Sequence, residues 1–269
     1  MGFKDLLKCG WCKSWKKMDS DTILPFILLP VLLIISTISE IVTYVVMGAI
    51  GMGVLYVYSR PQQKNRSLFF FYWTISSCLY MYLILIFEII SVFLTLLENV
   101  VVLVLILCTL YFFVKMKKVA DFELAMGSSK GKEYCPMITS DSKYCHICQI
   151  EVNERFFHSI WWNCCIFRPN YVYFLAGNIF ALASLMTSTL YGLSEVCGGK
   201  MILMDKIIIP VDCSSVYMNG FQSSLTYVTC VYAAGYACSI AFVLLRQLVL
   251  FVPKYTEPQW RRLKNTLDV

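Results

Sequence analysis

Four side chains between Tyr144 and Phe174 have the types and spacing to hold a metal ion. Cys145 and Cys148 form a C-x2-C pair, His158 follows Cys148 by ten residues, and Cys165 follows His158 by seven. Thiolates and a neutral imidazole are the donors of a tetrahedral structural zinc site, and C-x2-C is the usual first half of one. The chain has two histidines, and His158 is one of them. The spacing leaves a second reading open, a membrane-proximal loop whose cysteines are unpaired. The aromatic residues of the stretch, Phe156, Phe157, Trp161 and Trp162, read as packing or as anchors at a membrane interface.

The elements that must position these residues are membrane spans. The 269 residues are 58% hydrophobic, 15% aromatic and only 15% charged, a composition that excludes an ordinary soluble domain. Thirteen cysteines are too many for an ordinary cytosolic enzyme, and most lie in apolar runs or in this stretch rather than in a disulfide-like array. The net charge of +6 gathers at the span ends, so it reads as topology and contact with anionic lipid rather than nucleic-acid binding.

In chain order, residues 1–21 form a basic cytosolic segment with no cleavage site of a signal peptide. Its Cys9 and Cys12 read as free or S-acylated thiols beside the membrane, with a metal-binding pair as the alternative. Residues 22–58 are apolar apart from Glu40, and are one long tilted helix or two short ones; Glu40 is expected to make a helix–helix contact. Residues 67–115 are too long for one crossing and read as a transmembrane hairpin turning near Leu96–Asn99, with Glu88 and Glu98 inside. Residues 116–169 are the cytosolic cysteine-rich loop, with Gly127 to Lys132 (GSSKGK) as a flexible linker.

Residues 170–193 and 224–251 are two more spans, the second with a small-residue face at Ala233, Ala234, Gly235 and Ala237. Between them lies a luminal loop, 194–223, where Cys197 and Cys213 can form a disulfide. Residues 252–269 are a polar, basic cytosolic tail. The fold class is an all-α polytopic membrane protein: a helical transmembrane bundle with a small cytosolic knuckle. It has four family-like spans, and six in total if 22–58 forms a hairpin before them.

The stretch from Tyr144 to Phe174 also resembles the second half of the cysteine-rich domain of the DHHC protein palmitoyltransferases, HC-x2-C-x2-C-x4-DHHC-x5-C-x4-N-x3-F. Laid on it without a gap, Tyr144-Cys145 stands at the HC, Cys148 at the next cysteine and Glu151 at the third. Phe156-Phe157-His158-Ser159 stands at the DHHC signature, and Cys165, Asn170 and Phe174 match the tail. The run Cys164-Cys165-Ile166 with Asn170-Tyr171 and Tyr173-Phe174 is similar to the small divergent branch around member 24.

The resemblance implies a palmitoyl-CoA-dependent protein acyltransferase of endoplasmic reticulum or Golgi membranes, with two zinc sites. It assigns one zinc to Cys145, Cys148, His158 and Cys165, all present. The positions of the other are Cys135, Tyr144 and Glu151, so one zinc is expected. It places the acyl-accepting nucleophile at Ser159, and Phe156 and Phe157 where an aspartate and a histidine would activate it. A serine hydroxyl needs an oriented base to act at neutral pH. The implied protein is thus a catalytically impaired member or pseudoenzyme. Its possible partners are membrane lipid, palmitoyl-CoA, other acyltransferases or protein substrates. Two alternatives stand beside it: residual acyl transfer through Cys164 or Ser159, and a small polytopic carrier built on Glu40, Glu88 and Glu98. Asn170 and Phe174 would link the zinc domain to the bundle.

Overall fold

The computed structural model describes residues 20–59, 64–84, 96–129, 142–202, 207–213 and 215–251. Among them, six helices carry the long apolar runs: α1 (Ser20–Ser36), α2 (Glu40–Ser59), α3 (Lys64–Ile84), α4 (Leu96–Ser129), α5 (Arg168–Val196) and α6 (Phe221–Phe251). Three antiparallel hairpins fill the loops: β1 (Ser142–Cys145) with β2 (Ile150–Asn153), β3 (Arg155–Ser159) with β4 (Cys164–Phe167), and β5 (Gly198–Ile202) with β6 (Ile207–Asp212). Three helical stretches, Asn99–Glu123, Arg168–Val196 and Phe221–Val249, are long and apolar enough to cross a membrane. Shorter apolar helices lie at Thr22–Ser36, Glu40–Tyr56 and Leu68–Ile84.

The apolar run 22–58 is two helices. It breaks at Thr37–Ser39, where the Ser39 hydroxyl accepts a hydrogen bond from the Val42 amide at 3.3 Å and starts α2. Glu40 opens α2 as an exposed first-turn residue, where the helix dipole favours a carboxylate, and its charge lies near Tyr217, which precedes α6, and Tyr227 of α6. The turn expected at Leu96–Asn99 is instead the first turn of α4. Leu96, Leu97 and Glu98 are good helix formers with no glycine or proline among them, so nothing local ends the helix. Glu88 lies outside the described residues. At its other end α4 runs beyond residue 115 to Ser129, through Ala120, Glu123, Leu124 and Met126, and takes up Gly127–Ser129 of the expected linker.

Packing places α5 between α4 and α6. Gly177 of α5 allows the close approach: a Cβ there would lie 2.8 Å from the Phe113 ring of α4. A second core joins Leu29 and Leu33 of α1 to Trp73 of α3 and to Val228 and Tyr232 of α6. Hydroxyl bonds fix its rotation: Trp73 Nε1 donates to the Tyr232 hydroxyl at 3.0 Å, which also bonds Ser77 at 2.7 Å. On α6, Ala233 and Ala237 are buried, one helical turn apart, while Gly235 is exposed. Cys197, at the end of α5, is joined to Cys213, after β6, by a disulfide. Val216 and Tyr227 pack with Cys197 beneath it.

Candidate functional site

Two short hairpins bring the metal-type donors together. The turn after Cys145 is closed by the Gln149 amide donating to the Cys145 carbonyl at 2.7 Å, with Gln149 at φ 58 in the left-handed region. That turn also aims the Cys148 amide at Cys145 Sγ, 3.5 Å away. On the second hairpin His158 and Cys165 are register partners, so both side chains leave on the same face, toward the first turn.

The result is a cluster of Cys145, Cys148 and Cys165 sulfurs with His158 Nδ1, all within 4.8 Å of one another. The imidazole nitrogen lies 3.7, 3.4 and 3.7 Å from the three sulfurs, and Cys148 Sγ lies 3.6 Å from Cys165 Sγ. Zinc bonds of about 2.3 Å to sulfur and about 2.0 Å to nitrogen, opened tetrahedrally, give edges of about 3.8 and about 3.5 Å. The donor set therefore fits a tetrahedral thiophilic cation in number, type and spacing.

The electrostatics favour the same occupant. Hydrogen bonds from Cys148 and Cys165 hold the Cys145 thiol well below its ordinary range; the reciprocal interactions, helped by burial, push Cys165 well above it. Three sulfurs so close share negative charge poorly unless a dication neutralises it.

The opposite face of β3–β4 serves the membrane bundle. Ser159 and Cys164 are register partners there, and both are buried. Burial pushes the Cys164 thiol up to about 12. Phe156 and Phe157 pack on the first turns of α5, at ring distances of 5.0 Å to Tyr171 and 5.5 Å to Phe174. The turn that follows drives two tryptophans between the helices. Trp161 lies edge-on to Phe70 of α3 and near Tyr236 of α6, and Trp162 stacks on Phe113 of α4 at 3.9 Å. Lys117 of α4 donates to the Asn163 carbonyl at 3.1 Å and pairs with Asp121.

Asn170 locks the hairpin to α5. Its Oδ1 accepts from the Phe167 amide at 2.9 Å, at the helix start, and its Nδ2 donates to the Cys165 carbonyl at 3.0 Å. A metal-type donor and a membrane helix thus share one buried side chain. Above the hairpin is a cavity of about 2210 Å³, lined by α2 to α6 and by Ser159, Phe157 and both tryptophans.

The sequence profile of the DHHC palmitoyltransferases matches residues 128–266, just over half of the chain, and takes in all three hairpins, α5 and α6. The chain belongs to the DHHC palmitoyltransferase family. It is also similar to the mouse (Mus musculus) palmitoyltransferase ZDHHC23, 24% identical over 314 aligned residues that cover 94% of this chain and 72% of that protein. Helices α1 to α3 lie before the DHHC match, so the cavity is walled partly by helices outside it.

Within this DHHC protein, Tyr144 and Glu151 face each other across β1–β2 as register partners. Tyr144 is half exposed, its ring edge-on to His146 at 5.1 Å, and its carbonyl accepts from Arg155 at 3.0 Å. Neither joins the four-residue cluster. Cys9, Cys12 and Cys135 lie outside the described residues. Charge at the span ends reads from sequence as topology alone, so neither the Lys117 contact with Asn163 nor the cavity was visible there. The paired tryptophans in a four-residue turn were the available signal for contact with the bundle.

Proposed function

We propose that this protein is a DHHC-family member whose acyl-transfer chemistry is disabled, retained as a membrane protein that keeps one structural zinc and holds an acyl chain in its bundle cavity. The observation that carries this is the division of labour across β3–β4. The face with His158 and Cys165 keeps a full set of donors, whereas the face toward the cavity presents Ser159. By the motif resemblance, Ser159 stands at the acyl-accepting cysteine, and Phe156 and Phe157 at the residues that would activate it. Both phenylalanines are engaged in packing on α5. His158, the neighbouring base, turns its Nδ1 to the three sulfurs. A hydroxyl with no oriented base is a poor nucleophile at neutral pH.

Zinc would be held by Cys145, Cys148, Cys165 and His158, and would supply a cross-link between the two hairpins. One zinc rather than two is supported by Tyr144 and Glu151 at positions where the second set would need donors. The cavity supports palmitoyl-CoA as a ligand: it is apolar, begins at Ser159 and is bordered at that end by Lys117, Lys118 and Arg246, which suit an anionic head group. The four-donor cluster lies at one end of α5 and the Cys197–Cys213 disulfide at the other, about 43 Å apart along a 29-residue helix. Reduced thiols at one end and a disulfide at the other support a cytosolic knuckle and a luminal hairpin in a secretory-pathway membrane.

The test is acyl transfer itself. Purified protein in detergent is incubated with labelled palmitoyl-CoA and analysed for bound label with and without hydroxylamine, beside Ser159→Ala and Cys164→Ala. Reversible binding with no covalent label is the expected result. A hydroxylamine-sensitive label lost in Cys164→Ala would establish a relocated nucleophile, and a resistant label lost in Ser159→Ala an oxyester route. Either would end the pseudoenzyme reading.

A further inference from the structure

The cavity is far larger than one acyl chain requires. At roughly the 30 Å³ that a water-sized group occupies in a liquid, sixteen carbons fill about 500 Å³, and the two tails and glycerol of a phospholipid about 1200 Å³. The cavity holds about 2210 Å³. Its floor is the turn between β3 and β4, and the two tryptophans of that turn reach different walls. Trp162 stacks on Phe113 of α4, whereas Trp161 meets Phe70 of α3 and Tyr236 of α6. Two glycines leave room on the Trp161 side. Gly235, next to Tyr236 on α6, and Gly51 on α2 both line the cavity, and a Cβ on either would meet nothing within 4 Å. Ile50, beside Gly51, packs against the same core as Tyr236. Gly177, near Trp162, differs: there the missing side chain admits the Phe113 ring.

Charge gathers at one end. Among the described lining residues only Lys117, Lys118, Arg246 and Asp121 are charged, and Asp121 pairs with Lys117 at 3.5 Å. Lys117 bonds the Asn163 carbonyl in the tryptophan turn, and Gln247, next to Arg246, bonds Tyr171 in the first turn of α5. The excess positive charge therefore sits beside the hairpin, and the rest of the lining is uncharged.

We propose that the cavity takes a whole anionic phospholipid, one tail on each side of the tryptophan turn and the phosphate at Lys118 and Arg246. This rests on the acyl-chain reading given above and names a second, larger ligand for the same site. A single tail fills one side and leaves the apolar wall of the other without a partner, whereas two tails cover both. The cytosolic leaflet is rich in anionic head groups and supplies such a lipid.

The test uses the full chain in detergent, depleted of copurified lipid, with native mass spectrometry to count what stays bound. The probes are dioleoyl phosphatidylserine, dioleoyl phosphatidylcholine as the control for charge, and oleoyl lysophosphatidylserine as the control for the second tail. One phosphatidylserine per chain is expected, held at least tenfold more tightly than either control and displaced by palmitoyl-CoA. Gly235→Leu and, separately, Gly51→Leu put a side chain into the room for the second tail. Each should weaken phosphatidylserine at least tenfold and lysophosphatidylserine less than threefold, with the melting temperature kept. Equal binding of the one-tailed and two-tailed lipids by the wild type overturns the proposal. So does equal binding of phosphatidylcholine, or phosphatidylserine that palmitoyl-CoA does not displace. Palmitoyl-CoA bound without phosphatidylserine removes the two-tailed ligand and keeps the acyl-chain reading; neither bound removes both.

Discussion

Removing one donor from the cluster is expected to abolish metal binding and with it the order of both hairpins. The segment from Ser142 to Phe167 is 26 residues, below the roughly 40 that usually fold without a metal, disulfide or partner. Its buried apolar side chains include Ile147, Val152, Ile166 and Phe167, a small core. Structural zinc sites contribute on the order of 10–16 kcal/mol of apparent binding energy at neutral pH, enough to hold such a segment. Losing a residue that only orients a ligand costs about 10–100-fold in metal affinity, so losing a ligand should cost more than about 100-fold.

Purified wild-type protein is therefore expected to contain one zinc per chain by mass spectrometry. His158→Ala and Cys148→Ser should contain less than about a tenth of that after dialysis against a weak chelator. Cys164→Ser is the control: Cys164 is buried beside the cluster, points to the other face and donates nothing to it. His158→Ala with full zinc would refute the four-donor assignment. Two zincs in the wild type would refute the single-site reading, and none would remove the knuckle altogether.

Three further outcomes follow from individual contacts. Asn170→Ala leaves the Phe167 amide and the Cys165 carbonyl without their partner in a buried place, at about 1–3 kcal/mol each; thermal unfolding in detergent should show the loss, and Asn170→Asp, which keeps the acceptor, should recover part of it. Gly177→Leu drives a side chain into the Phe113 ring, itself stacked on Trp162, and should lower stability by about 1–3 kcal/mol; an unchanged melting temperature would show that α4 and α5 pack less closely than described. Cys164 should resist iodoacetamide: at pH 8 a thiol pushed up to about 12 is ionised in about one molecule in ten thousand, against roughly one in four for an ordinary cysteine. Peptide mapping that finds Cys164 modified as fast in the native as in the urea-unfolded protein would contradict its burial.

Much of the site was legible because metal donors come with spacing. C-x2-C fits a tight turn, and a histidine and a cysteine seven apart fit the two arms of a hairpin, as His158 and Cys165 do. The breaks between helices were less legible. Ser39 ends an apolar run through one capping hydroxyl, a weak signal inside 22–58, and Glu40 looked like an intramembrane charge because hydropathy alone does not mark a helix start. The hairpin turn was placed at Leu96–Asn99 because polar residues suggest loops, whereas Glu98 and Asn99 are tolerated in a helix that begins with two leucines.

The sequence by itself determined what kind of protein this is. Apolar run lengths require a helical membrane bundle, because backbone groups in lipid must bond within their own segment. The Cys-His spacing marked out the four metal-type donors, and the resemblance set the expectation that the FFHS run stands at the family's signature. Tertiary structure decided what those residues face. Alternation along β3 turns His158 to the sulfurs and Ser159 to a cavity whose walls come from five helices. The grip of Tyr217 and Tyr227 on the start of α2 joins residues more than 170 positions apart. Such contacts depend on how helices stand against one another, and local patterns of hydropathy carry no term for that.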